Sequence, residues 1–176
     1  MRFLLPILMA LSCSPVARGN GKCEMDLKIG AKTAHTLKNC TLQGFLYPVG
    51  RALTGKFVFD LMALKSEDKE INLLVEEQFY RKNQYAAIDV YYFDLDTKIY
   101  EGWLQFNGVS KFIKGRGRVD LARKKLFFWY YLNFNEHRLS KKLPWSRFEN
   151  TAHLKFEADI DAPTNGNPPL SKQPTG

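Results

Sequence analysis

The three histidines, His35, His137 and His153, are the residues of this 176-residue chain best suited to acid–base or metal chemistry. They lie in different segments, without the HxH or HxxxH spacing that brings two imidazoles to one metal ion. The sequence also contains no G-x-S-x-G elbow, P-loop or Gly-rich dinucleotide turn. We therefore expect no catalytic residues, no metal site and no cofactor. A small barrel enzyme with scattered Asp, Tyr or His groups stays an alternative, because such sites leave no local motif.

The cysteines and the N-terminus indicate export. The first 19 residues resemble a secretory signal, with Arg2 before an apolar stretch and Ala17-Arg18-Gly19 at the cleavage position. Cleavage there removes Cys13 and leaves Cys23 and Cys40, for which we predict one disulfide in a periplasmic or secreted protein. Three alternatives are open: a buried N-terminal strand or helix, two free thiols, and a lipoprotein anchored at Cys13, because the preceding residues loosely resemble a lipobox.

The chain is basic, with 26 Lys and Arg against 18 Asp and Glu, a formal net charge of +8. The stretch Lys114-Gly115-Arg116-Gly117-Arg118 is similar to a fragment of an RGG segment. Strand alternation places its cations on the solvent face, so we interpret it as a solvated basic face and expect no nucleic-acid partner. A peripheral contact with an anionic membrane or an acidic envelope polymer is a weaker form of the same hypothesis.

Aromatic residues make up 14% of the chain and concentrate in strand-like segments. Residues 126–132 (LFFWYYL) are apolar on both faces, which a sheet with one wet face does not favour. Either a second layer covers the outside, or the inside is a cavity lined by rings. A closed barrel of about eight strands can hold one small apolar ligand, whereas an ordinary packed core is the simpler interpretation.

Most segments alternate with a period of two, which predicts several short strands in an antiparallel sandwich or barrel. The exception is residues 66–82, where apolar residues recur at helical spacing. Ser66 is the expected N-cap, and Arg81 and Lys82 lie near the expected C-terminus. We expect the apolar stripe of this helix to cover one end of the sheet or barrel. From residue 161 the composition becomes rich in Pro, Asn and Gly, which predicts a disordered tail over 161–176.

The order of these segments resembles the YceI-like family of exported lipid-binding proteins. A strand at residues 55–64 leads into the helix, and Gly102, Leu104, Phe106 and Gly108 stand in a stretch similar to the family's "G-x-L-t-l-x-G-v-t-k" motif. The similarity covers about residues 42–160. The chain departs from the family at residues 70–74 (EINLL), where the family often has R-D-x-H-M.

The resemblance implies an eight-stranded antiparallel, lipocalin-like barrel over residues 20–160, with one helix covering an end. It also implies that the barrel holds a long isoprenoid or fatty chain, for carriage or sequestration in the cell envelope, without catalysis. The alternative is an interaction module with a filled barrel and a basic face that binds an acidic partner. From the alternation we expect the inner lining to be drawn from Phe57, Phe59, Tyr91, Phe93, Leu104, Phe106, Phe128, Tyr130, Phe134, Leu154 and Phe156.

Overall fold

The computed structural model describes residues 19–29, 32–79, 83–139 and 147–161. Residues 1–18 of the predicted signal, including Cys13, and residues 162–176 of the predicted tail lie outside these residues, as do Arg81 and Lys82. Eight antiparallel strands close into a barrel in which each strand pairs with its neighbours in sequence and β1 pairs with β8. The strands are β1 Gly19–Ile29, β2 Lys32–Val49, β3 Ala52–Asp60, β4 Tyr85–Asp94, β5 Ile99–Phe106, β6 Val109–Asp120, β7 Lys125–Asn133 and β8 Thr151–Asp159.

One helix, α1 (Lys69–Phe79), lies between β3 and β4, after a 3-10 turn at Leu61–Ala63. Its buried residues are Ile71, Leu74, Val75 and Phe79, which join the barrel core. The Phe79 ring meets the Phe106 ring edge-on at 5.6 Å. The helix therefore covers the end of the barrel where β5 turns into β6, which we call the helix end. The opposite end, with the β2–β3, β4–β5 and β6–β7 turns, is the far end. No helix among the described residues has the length and apolar character needed to cross a bilayer.

The helix begins later than its sequence pattern predicted. The Asp68 carboxylate accepts a hydrogen bond from the Glu70 N–H at 2.9 Å, as an N-cap side chain does. Ser66 lies two residues earlier, where its hydroxyl oxygen accepts a hydrogen bond from the Asp68 N–H at 3.2 Å. The predicted cap at Ser66 is therefore wrong. Both Ser66 and Asp68 can accept a hydrogen bond from a backbone N–H two residues later, but only the bond to Asp68 comes from the first turn of the helix.

A β-bulge in β4 overturns one predicted face assignment. Strict alternation placed Tyr91 beside Phe93 on the inner face. The pairing between β4 and β5 shifts register between Val90 and Tyr92, so that two residues rather than one separate Val90 from Phe93 on the inside. Val90 and Phe93 are buried, whereas Tyr91 is 53% exposed on the outer surface.

Strand β8 follows its predicted alternation, with Leu154, Phe156 and Ala158 buried. Its neighbour β1 is tied to β2 by a disulfide between Cys23 and Cys40, as predicted. The two cysteines are cross-strand register partners with Cα atoms 5.0 Å apart. The side of the barrel formed by β8, β1 and β2, which we call the continuous side, is thus joined both by ladders along most of each strand and by a covalent bond.

Candidate ligand site inside the barrel

Aromatic rings occupy the middle of the barrel. Phe128 stacks on Phe156 with ring centres 4.8 Å apart, and Phe156 meets Phe59 edge-on at 5.5 Å. Tyr100 contacts the other side of this group, with its ring centre 5.4 Å from that of Phe128. These residues come from β3, β5, β7 and β8, so the rings meet across the barrel. In this conformation the space that the sequence assigned to a ligand is filled by side chains.

The predicted lining residues divide into three groups. Tyr91 lies outside, in a shallow surface groove that also contains Trp103 and Gln105. Tyr130 points inward but is only partly buried. The remaining predicted residues are inside the barrel, with exposed fractions from 0% to 5%, and they are Phe57, Phe59, Phe93, Leu104, Phe106, Phe128, Phe134, Leu154 and Phe156.

Two glycines on the inner face of β6 decide where the rings can lie. A Cβ at Gly115 would come within 2.7 Å of the Tyr100 ring, and a Cβ at Gly117 within 2.6 Å of the Phe93 ring. Tyr100 and Phe93 therefore occupy the interior space that side chains on β6 would otherwise fill. The alternation had placed both glycines on the inner face, but it carried no information about which rings would cover them.

The wall of the barrel is incomplete beside these glycines. Strand β6 pairs with β7 from Gly117–Phe128 to Asp120–Lys125, all near the far end. Within the described chain, residues 109–116 of β6 form no ladder with residues 129–133 of β7. The Tyr100 hydroxyl donates a hydrogen bond to the Trp129 carbonyl at 2.7 Å, which satisfies a backbone group next to the last rung. We call this unpaired stretch the β6–β7 seam.

The seam ends at a turn that carries a buried histidine. The turn at residues 134–139 follows β7, and the Asn107 side-chain amide donates to the His137 carbonyl at 2.9 Å. The His137 ring is fully buried, with the Phe106 ring centre 5.8 Å away and the Tyr130 ring centre 6.2 Å away. Neither ring nitrogen of His137 has a hydrogen-bond partner of normal geometry among the described residues.

The polar groups at the seam are neutral near pH 7. Desolvation lowers the pKa of His137, and the nearby Phe106 carbonyl only partly opposes the shift. Desolvation also raises the pKa of the Tyr130 and Tyr100 hydroxyls. The site can therefore offer an imidazole and a phenol to an uncharged or weakly polar group, next to an otherwise apolar interior.

His153 lies on the outer face of the barrel, as its position in β8 predicted. Its ring stacks on Tyr131 at 4.6 Å, and its Nδ1 is 3.8 Å from the Asp26 carboxylate. Desolvation and the charge of Lys155 lower the pKa of His153, against the opposing effect of Asp26. Lys155 Nζ is 2.6 Å from the same Asp26 carboxylate. Among the described residues, no group of three His, Cys, Asp or Glu side chains is arranged to hold a metal ion.

Two solved structures are similar to this barrel. Burkholderia cenocepacia BcnA matches with a TM-score of 0.64 and 13% sequence identity, over 78% of this chain and 94% of that one. A polyisoprenoid binding domain from Saccharophagus degradans, implicated in plant cell wall breakdown, matches with a TM-score of 0.58 and 12% identity. That match covers 79% of this chain and 92% of the other. No family model and no curated protein matches the sequence. The structural matches confirm the predicted eight-stranded antiparallel barrel.

Proposed function

On the fold that this chain shares with YceI-like proteins, we propose that it binds one long apolar chain, of the isoprenoid or fatty type, inside the barrel. The bound chain would be carried or sequestered rather than chemically changed. One similar structure is a polyisoprenoid binding domain, which supports an apolar lipid ligand. We further propose that the chain is exported to the periplasm or beyond, where Cys23 and Cys40 would be kept oxidised.

The observation that carries the proposal is the pair of rings over the β6 glycines. Phe93 and Tyr100 lie against Gly117 and Gly115, where β6 carries no side chain of its own. Rotation of these two rings would open a groove along the inner face of β6 without moving the backbone. The binding-competent state is then a rearranged core, and the conformation with both rings over β6 is its closed form.

Burial of the ligand provides the driving force. Each methylene group transferred from water to the interior contributes about 0.8 kcal/mol. A chain of ten or more carbons thus gains several kcal/mol, which can offset the displacement of two rings that keep apolar surroundings. We place the polar end of the ligand at the seam, where Tyr130 and His137 provide neutral hydrogen-bonding groups.

The filled interior itself favours a second candidate function. If Phe93 and Tyr100 never leave their positions, the barrel is a rigid scaffold, and its basic outer face would bind an acidic partner. The two candidates differ in one property, which is whether the full chain takes up an apolar molecule at a 1:1 ratio.

Uptake of a fluorescent polyene fatty acid by the full chain, followed by fluorescence and native mass spectrometry, tests the proposal. We expect a saturable 1:1 complex. The Phe93→Ala variant removes a ring from the site and should bind the probe faster and at least several-fold more tightly, because only the Tyr100 ring then has to be displaced. Phe45→Ala is the matched control, since Phe45 lies on the outer face of β2 and is partly exposed.

A folded chain with native near-UV circular dichroism and no probe uptake would contradict the proposal and support the scaffold function. Equal uptake by the Phe93→Ala and Phe45→Ala variants would contradict the role of the rings over β6. An uptake that Phe93→Ala alone enhances would support it.

A further inference from the structure

The outer rim of the β6–β7 seam combines exposed rings with cations. We define the rim by its outward-facing residues, which are Phe112, Lys114 and Arg116 on β6, and Trp129 and Tyr131 on β7. Phe112 is 52% exposed and Tyr131 is 55% exposed, and Trp129 is partly buried. We infer that this rim docks on an anionic lipid bilayer and that the seam is the lateral port through which the apolar chain passes. This inference rests on the proposed function.

The charge of the rim selects an anionic surface. Arg116 is exposed and has no ion-pair partner among the described residues. Lys114 pairs with Glu101, with Nζ 2.6 Å from Oε1, so this carboxylate neutralises one of the two cations. Lys28 adds a further positive charge, because its Nζ lies 5.8 Å from the Tyr131 ring centre. Basic groups next to a membrane are attracted by anionic head groups, and this attraction falls as salt rises.

The rings select a bilayer over a polar polymer. Aromatic side chains with a polar edge concentrate at the boundary between head groups and hydrocarbon, where Trp and Tyr are enriched. Phe112 packs edge-on against the neighbouring Trp103 at 5.9 Å, and Trp103 is itself partly exposed. The aromatic surface thus continues from the rim onto β5, which extends the contact beyond a single strand.

The position of the seam links docking to transfer. Directly behind the rim, β6 carries inward-facing Gly115 and β7 carries inward-facing Tyr130, with no ladder between them. A hydrocarbon chain crossing here would pass from bilayer to barrel without entering water. Each methylene group kept out of water at that step avoids a partition penalty of about fourfold, which would otherwise slow the transfer. A port at the helix end of the barrel, which α1 covers, would lack this advantage.

Vesicle co-sedimentation of the full chain tests the docking surface, with phosphatidylglycerol and phosphatidylcholine mixtures compared with pure phosphatidylcholine. We expect salt-sensitive binding to the anionic vesicles. Arg116→Glu should weaken it about tenfold. Lys69→Glu is the matched control, because it changes the net charge equally at an exposed position on α1. Phe112→Ala should also weaken binding, whereas Phe45→Ala should not.

Transfer of the polyene fatty acid from the loaded chain to vesicles supplies the second measurement. A transfer rate that rises with vesicle concentration, and that Arg116→Glu slows, supports a port used during collision. Equal effects of Arg116→Glu and Lys69→Glu, or intact vesicle binding by Phe112→Ala, would overturn the inference. If the chain takes up probe without vesicles but does not dock, the inference fails and the proposed function stands. If it docks but takes up no probe, the proposed function fails and the port fails with it.

Discussion

The two sides of this barrel differ in how their walls are held together. On the side formed by β8, β1 and β2, the ladders extend along most of each strand, and Cys23–Cys40 adds a covalent link. On the side formed by β6 and β7, pairing is confined to the far end, and a tyrosine hydroxyl takes over beyond the last rung. Since both sides face the same apolar interior, we expect the barrel to open first between β6 and β7.

The largest expected effect is a loss of folding stability, and we compare it for two inward-facing rings on neighbouring strands. Phe156→Ala should lower the free energy of unfolding by about 3–5 kcal/mol, because Phe156 is buried between Phe59 and Phe128. Tyr130→Ala should cost clearly less, because Tyr130 is only partly buried beside the seam. Urea unfolding measures both. Equal losses would show that the seam side is packed as firmly as the rest of the barrel.

Removal of the disulfide tests how much it stabilises the continuous side, formed by β8, β1 and β2. The double variant Cys23→Ala, Cys40→Ala opens a loop with a sequence separation of 17. Chain-entropy reasoning predicts a loss of about 3 kcal/mol, which thermal unfolding can measure. Hydrogen exchange should increase in β1 and β2 and stay unchanged in residues 129–133. A uniform increase over all strands would contradict the division into two sides.

The pH dependence of stability involves one histidine on each side of the barrel. His137 lies at the seam and His153 on the continuous side, and the pKa of each is lowered from 6.5 in the folded chain. Below pH 6.5 the unfolded chain therefore binds more protons, so stability falls as the pH decreases from 6.5 toward each folded pKa. The slope is at most about 1.4 kcal/mol per pH unit for each histidine. Denaturant titrations between pH 7 and 5 should show a shallower slope for His137→Leu and for His153→Asn than for the unaltered chain. An unchanged slope in both variants would contradict burial of the neutral rings.

The smallest expected effect concerns the hydroxyl that spans the seam. Tyr100→Phe keeps the ring over Gly115 but removes the hydrogen bond to the Trp129 carbonyl, at a cost of about 1 kcal/mol. Amide exchange should become faster in residues 129–133, whereas the amides of β8 that pair with β1 should keep their protection. Tyr92→Phe is the control, because the Tyr92 hydroxyl donates to the Asp94 carboxylate on the outer surface, away from the seam. If Tyr100→Phe leaves exchange at the seam unchanged, the hydroxyl does not hold it closed.

Several features followed directly from local pattern. The alternation in β8 predicted its buried face, and the apolar stripe of α1 predicted that the helix covers an end of the barrel. The even pair of cysteines predicted the disulfide. The outward position of Tyr91 did not follow from the alternation. A bulge adds one residue to the strand and so reverses which face the later residues occupy, and the sequence pattern does not show where a bulge lies. The cap of α1 was misplaced for a similar reason, since Ser66 and Asp68 both suit the role.

The alternation by itself determined an antiparallel sandwich or barrel with an apolar interior, because period-two segments bury one face of each strand. Closure into eight strands was implied by the family resemblance and is shown by the structure. Tertiary structure alone decided what fills that interior and where its wall is weak. Whether Phe93 and Tyr100 lie over the glycines of β6 depends on the registers of three consecutive strands, which the bulge in β4 shifts. The length of the β6–β7 ladder likewise depends on how eight twisted strands close, a property of the whole ring rather than of any segment.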